Sequence, residues 1–178
     1  MKGVVFNLLE QLVARDFGAD TWDALLDASE LDGVYTSLGS YPDEDLVKLV
    51  SAAAGALAMP DDDVVLWFGR NALPLFAERY PQLFEPHDST QSFVLTLNDI
   101  IHPEVRKLYP GADVPEFDFD VRDEVLVMGY RSPRKLCSFA EGLLLGAADR
   151  YGERLTIEQP SCMKRGDSQC VLELAFAR

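Results

Sequence analysis

Histidine is scarce in this chain: two in 178 residues, His87 and His102. Cysteine is scarce as well, and odd in number at three. That argues against the disulfide framework of a small secreted domain and for a cytoplasmic protein. Basic residues are outnumbered, 16 against 30 acidic ones, for a net charge of −14. So acidic a surface repels phosphate backbones and anionic lipid, which argues against nucleic-acid and membrane-surface roles. Long apolar runs are missing. The best candidate, Leu46 to Met59, carries Lys48 and is too short to span a bilayer. The N-terminal stretch is interrupted by Glu10, Arg15 and Asp16 and lacks a small-residue cleavage site, so it reads as an amphipathic helix rather than a signal peptide. Nor is there a Gly-rich phosphate loop, a His-Glu-x-x-His motif or a defensible Ser-His-Asp set, and the chain does not read as an enzyme.

What is present is an ordinary globular composition, 48% apolar, with ten Phe, six Tyr and two Trp. These could line a large apolar pocket or simply fill a core. Helical periodicity predicts a first helix over residues 2–17, ended by Gly18, and a second from Thr21 to Ser29 capped by Asp20. Leu31 to Pro42 reads as loop. A third helix spans Asp43 to Leu57, its early acids complementing the helix dipole. A fourth opens at Pro60 and should kink or break at Pro74. Ser89 or Thr90 caps a helix carrying Phe93, Val94, Leu97, Ile100 and Ile101 on one face, with His102 on its C-terminal half and a bend at Pro103. The period then changes. Phe117, Phe119 and Val121 alternate, Arg122-Asp123 turns, and Val125 to Tyr130 completes a hairpin. A helix from Pro133 to about Arg150 follows, then strands at Leu155 to Glu158 and Cys170 to Phe176. Helices segregated from antiparallel strands make an α+β fold: a helical N-terminal lobe and a C-terminal lobe with a small twisted sheet.

Two features carry chemistry. His102 ends an apolar helical face, whereas His87 sits in a Pro-flanked surface loop. A histidine such as His102 is either a core residue bonded to a carbonyl or a metal ligand, imidazole being the commonest neutral ligand of haem iron. Tyr130-Arg131-Ser132-Pro133-Arg134 leaves a strand and enters a helix, which brings two hydroxyls and a guanidinium together. That set suits a pair of carboxylates such as the two haem propionates, because Arg offers a planar fork and the hydroxyls serve the remaining lone pairs. Read plainly, the same residues are a turn whose Ser caps a helix and whose Arg lies in solvent.

Together the two features resemble the H-NOX (haem nitric-oxide/oxygen-binding, HNOB) family, in its bacterial stand-alone form. His102 is followed by Arg106, Tyr109-Pro110, Gly111-Ala112 and Pro115, then by Tyr-x-Ser-x-Arg, and the likeness runs from the Met-Lys-Gly start to the final strand. The resemblance implies one domain over 1–178, with a helical lobe at 1–60 and a haem-holding lobe at 61–178. It implies haem b with His102 as the iron ligand, Tyr130, Ser132 and Arg134 on the propionates, and Pro115 pressing on the porphyrin. Val5, Leu9, Ala72, Phe76, Phe139 and Leu143 would line the distal side. Oxygen-binding members place a Tyr donor where this chain has Phe139, and a polar partner near Ala72, so nitric oxide and carbon monoxide are the expected ligands. Signalling by weakening of the iron–His102 bond would pass to a separate histidine kinase or a diguanylate cyclase or phosphodiesterase.

Some members also hold zinc with cysteines matching Cys137, Cys162 and Cys170 and a His three residues before the second. That position is Gln159 here. Structural zinc wants four Cys or His ligands, so the three cysteines are read either as a zinc or redox site or as plain reduced thiols. The rival reading of the whole chain is a cysteine/zinc redox sensor that uses little or no haem. Asp61-Asp62-Asp63 reads as a solvated helix start.

Overall fold

The computed structural model describes residues 1–123 and 125–177. Four helices come first: α1 (Gly3–Phe17), α2 (Ala19–Ser29), α3 (Asp43–Leu57) and α4 (Asp61–Arg79). After a 3-10 turn (Pro81–Leu83) come α5 (Thr90–Val94), a π-turn (Leu97–Ile101) and α6 (His102–Leu108). Strands β1 (Glu116–Arg122) and β2 (Val125–Arg131) form the hairpin, α7 (Cys137–Tyr151) follows, and β3 (Arg154–Ser161) and β4 (Cys170–Ala177) close the chain. The four strands make one antiparallel sheet in the order β1-β2-β4-β3. The α+β class expected from the sequence is the class observed.

The core has two main parts. In one, Val4, Leu8, Leu12, Leu49, Val50 and Phe68 bury the inner faces of α1, α3 and α4. In the other, Leu73 and Ala77 of α4 and Leu144 and Ala147 of α7 meet Leu126, Met128, Leu172 and Leu174 on the sheet. Helices α4 and α7 cross at backbone distance: a Cβ on Gly142 would lie 2.2 Å from the Leu66 carbonyl oxygen, and one on Gly69 2.3 Å from that of Phe139.

Four local expectations need correction. α2 starts at Ala19 with no side-chain cap, and Asp20 sits inside its first turn. Pro74 does not break the helix, for α4 runs continuously from Asp61 to Arg79. Proline denies an N–H to the carbonyl four residues earlier, here that of Arg70. That oxygen abuts Gly146 of α7, 2.6 Å from where a Cβ would stand, so the missing side chain leaves it room. The single helix expected from Ser89 to beyond His102 is three pieces, because the Ile101 N–H reaches back five residues to Thr96. His102 therefore opens α6 instead of closing a helix, and Ile100 turns outward, 50% exposed. Last, α7 begins at Cys137 and not at Pro133: the Leu136 N–H is taken by the Tyr130 hydroxyl at 3.1 Å.

Candidate haem site

The π-turn delivers His102. Such one-residue insertions shift the face that follows and are common at functional positions. Pro103 sits in the first turn of α6, where its missing donor costs nothing. The His102 ring stacks on Phe117 of β1, ring centres 5.4 Å apart, and lines a cavity of about 280 Å³ with Asn98, Arg106, Pro115, Glu116 and Arg131. Partial burial first, then the neighbouring Arg106 charge, push its imidazole down to about 4. It is thus neutral at pH 7, the form that ligates metals. No hydrogen bond from another described residue engages it.

Strand register positions Tyr130 at the start of the Tyr130–Arg134 turn. Phe117 pairs with Tyr130, and Tyr130 with Cys170, in one row across three strands. Tyr130 and Ser132 are buried, and the Tyr130 hydroxyl accepts the Leu136 N–H at 3.1 Å. Burial pushes the Tyr130 phenol up to about 12, so it remains a donor. The Ser132 Oγ accepts the Arg134 N–H at 3.3 Å. The Arg134 side chain is not in solvent; it is 17% exposed. Its Nε donates to Asp43 at 2.7 Å, and its Nη1 meets the Asp113 carbonyl at 2.7 Å and carboxylate at 3.1 Å. The guanidinium already grips two carboxyl-bearing residues, and a propionate would share or displace them.

A second hollow is wholly apolar, lined by Met1, Val5, Leu46, Val50, Val65, Phe68, Leu136 and Phe139. Of the six residues assigned to a distal wall, Val5 and Phe139 line it. Leu9 and Ala72 are buried in the first core, while Phe76 and Leu143 pack against the second. Sequence reasoning missed Leu46, Val50, Val65 and Phe68, whose helical spacing looked like ordinary core, and Asp43 and Asp113, for which no local signal exists. A neutral unpartnered imidazole at a cavity, an apolar hollow and a guanidinium that holds carboxylates together fit the needs of a haem.

The Haem-NO-binding (HNOB) family model matches residues 2–159. The chain belongs to the H-NOX family. A crystal structure of an H-NOX protein from Shewanella oneidensis in the Fe(II)NO state superposes at a TM-score of 0.95, 35% identical over 100% of both chains. The H-NOX of Shewanella woodyi in the Fe(II)CO state is 33% identical over 99% of this chain and 95% of that one, at 0.84. Unliganded Fe(II) H-NOX from K. algicida is 26% identical over 100% and 97%, at 0.89. H-NOX domains are haem-based gas-sensing domains, and no described helix here is long and apolar enough to cross a membrane.

The cysteines lie beside this site. The Cys162 Sγ is 3.7 Å from that of Cys137 and 3.9 Å from that of Cys170, and all three are buried. They supply three zinc-like vertices. Among the described residues no fourth Cys, His, Asp or Glu ligand atom joins the group, so the four-ligand structural zinc set is incomplete. Asp62 is exposed, as expected of a solvated helix start, and at the surface it also pairs with Lys164 of the cysteine loop and Ser138 of α7.

Proposed function

We propose that this H-NOX domain is a cytoplasmic nitric oxide sensor that holds haem b through His102 and is not itself an enzyme. Tyr130, Ser132 and Arg134 take the propionates, and Pro115, which shares the His102 cavity, presses on the porphyrin. The bound haem supplies a ferrous iron that takes diatomic gases. The chain supplies selectivity. A hydrogen-bond donor beside the haem would favour oxygen, whereas nitric oxide would need none. The observation that carries this reading is the hollow at Phe139, whose lining side chains include no hydrogen-bond donor.

His102 would hold the haem iron, and weakening of that bond would carry the signal. No residue of α6 is buried, and the helix is held by Ile101 before it, Val105 within it and Tyr109 after it. Freed at His102, it can shift against residues 1–60, read here as the moving lobe of a single domain whose residues 61–178 hold the haem. The proposed partner, acting in trans, is a histidine kinase or a diguanylate cyclase or phosphodiesterase. The cysteine/zinc rival leaves the His102 and Tyr130 geometry without a purpose.

Optical spectra of the reduced protein test the proposal. Nitric oxide should shift the Soret band to the short-wavelength position of a five-coordinate adduct, carbon monoxide should bind, and air should give no stable oxygen complex. A colourless protein would refute haem binding, and a stable oxygen complex would refute the selectivity.

A further inference from the structure

Cys137 opens α7, Cys162 precedes the 3-10 turn Met163–Arg165, and Cys170 opens β4. Three separate elements thus bring three buried thiols within 4.8 Å of one another. The surrounding backbone is arranged for sulfur. The Met163 N–H donates to the Cys170 Sγ at 3.2 Å, and the Arg165 N–H donates to the Cys162 carbonyl oxygen at 2.8 Å. Asp167 fastens the loop by accepting the Cys162 N–H at 2.7 Å.

A zinc tetrahedron with Zn–S near 2.3 Å has edges of about 3.8 Å, and the two measured separations match it. What fails is the fourth vertex. Gln159 stands where a histidine would be needed, and its Nε2 is buried without a hydrogen-bond partner among the described residues. Charge fails too. A divalent ion on three thiolates leaves one buried negative charge, which is costly unless paired. The nearest loop cations are engaged elsewhere, Lys164 with Asp62 and Arg165 with the Gln159 carbonyl.

We propose that Cys137, Cys162 and Cys170 form a three-sulfur site for a trivalent, lone-pair ion, arsenic(III) or antimony(III), delivered as its neutral hydroxide. Three thiols displace three hydroxides: three arsenic–oxygen bonds break, three arsenic–sulfur bonds form, and each thiol proton leaves with a hydroxide as water. Arsenic stays trivalent, so no oxidant or reductant is consumed. The product is neutral, which removes the penalty that burial places on the zinc complex. The ion's own lone pair occupies the fourth direction, so a non-ligating Gln159 is no defect.

The test uses the full, reduced, haem-containing chain with arsenite alone, then with zinc alone. Arsenite should load one ion per chain, abolish all three titratable thiols, and raise the intact mass by one arsenic less three hydrogens. Cys170→Ser and, independently, Cys162→Ser should lose the ion on gel filtration. Zinc should be stripped from the wild type by a mild chelator, while Gln159→His should raise zinc retention by about tenfold or more and leave arsenite loading unchanged. Substoichiometric arsenite on folded wild type, loading that survives both serine variants, or wild-type zinc as resistant to chelation as in Gln159→His would each overturn the proposal. Should the serine variants not fold, the wild-type mass and thiol count alone decide. The haem spectrum is a separate readout, so failure here leaves the gas-sensing reading standing.

Discussion

The ring of His102 makes no hydrogen bond with the other described residues and belongs to a helix without buried residues, so little of the fold depends on it. His102→Gly should therefore fold normally yet hold haem only when free imidazole is supplied; His87, half-buried against Phe93, cannot substitute. Circular dichroism together with ferrous spectra, with and without imidazole, checks this, and an unchanged spectrum without imidazole would remove His102 as the ligand. At Phe139 the chemistry runs the other way. Phe139→Tyr places a hydroxyl in an apolar hollow, which should introduce measurable oxygen affinity, read as a stable ferrous oxygen spectrum in air. Ala72 offers the new hydroxyl no partner, so the variant should lose about 1–3 kcal/mol of stability, the cost of an unsatisfied buried polar group.

Helices α4 and α7 are the elements on which the apolar hollow is built, since Val65 and Phe68 come from one and Phe139 from the other. Their closeness rests on Gly69, Gly142 and Gly146, each facing backbone of the opposite helix. Gly142→Ala is a decisive probe. Helix propensity favours Ala by about 1 kcal/mol, yet the added Cβ would stand 2.2 Å from the Leu66 oxygen and 2.8 Å from the Arg70 nitrogen. Backbone cannot step aside as a side chain can. The clash should win, with a net loss of about 1–3 kcal/mol in chemical denaturation and an altered nitric oxide spectrum as the helices separate. A stabilised variant would show that the two helices can slide apart freely. The π-turn is the other element-level device, for it sets which face of α6 meets Phe117 and thereby where His102 lies.

Across the whole molecule, Asp43 of α3 accepts from Arg134, 91 residues away, and ties α3 to the turn that precedes α7. Burial raises the Asp43 carboxyl, but hydrogen bonds from the terminal ammonium and from Arg134 outweigh it and hold the group below the usual carboxylate range. A depressed folded value means the stabilisation is fully present above the unfolded value of about 3.9 and is lost as pH falls through the folded one. Asp43→Asn should thus be less stable than wild type at neutral pH, and the gap should close on acidification below about pH 4. Urea midpoints across that range measure it; a gap independent of pH would mean that the pair contributes nothing through ionisation.

Local pattern was enough for much of this. The apolar spacing of α1 and α3, the stop at Gly152, where φ is 68°, and the alternation through Phe117 and Phe119 each depend on neighbours a few residues apart, so the α+β class followed. The nearness of Ser132 to Arg134, whose N–H its hydroxyl accepts, is equally local, because a strand-to-helix turn keeps such residues close. What the sequence could not determine depends on groups far apart in the chain. The continuity of α4 through Pro74 depends on Gly146 leaving room for a stranded carbonyl. Arg134 is turned away from solvent by Asp43 and Asp113, which no spacing connects to it. Likeness to a family named the three cysteines together and showed Gln159 in the place of a histidine, but the mutual distances of the thiols are set by the packing of α7 against the sheet. Periodicity is a property of a segment; the pairing of distant groups exists only once the segments have packed.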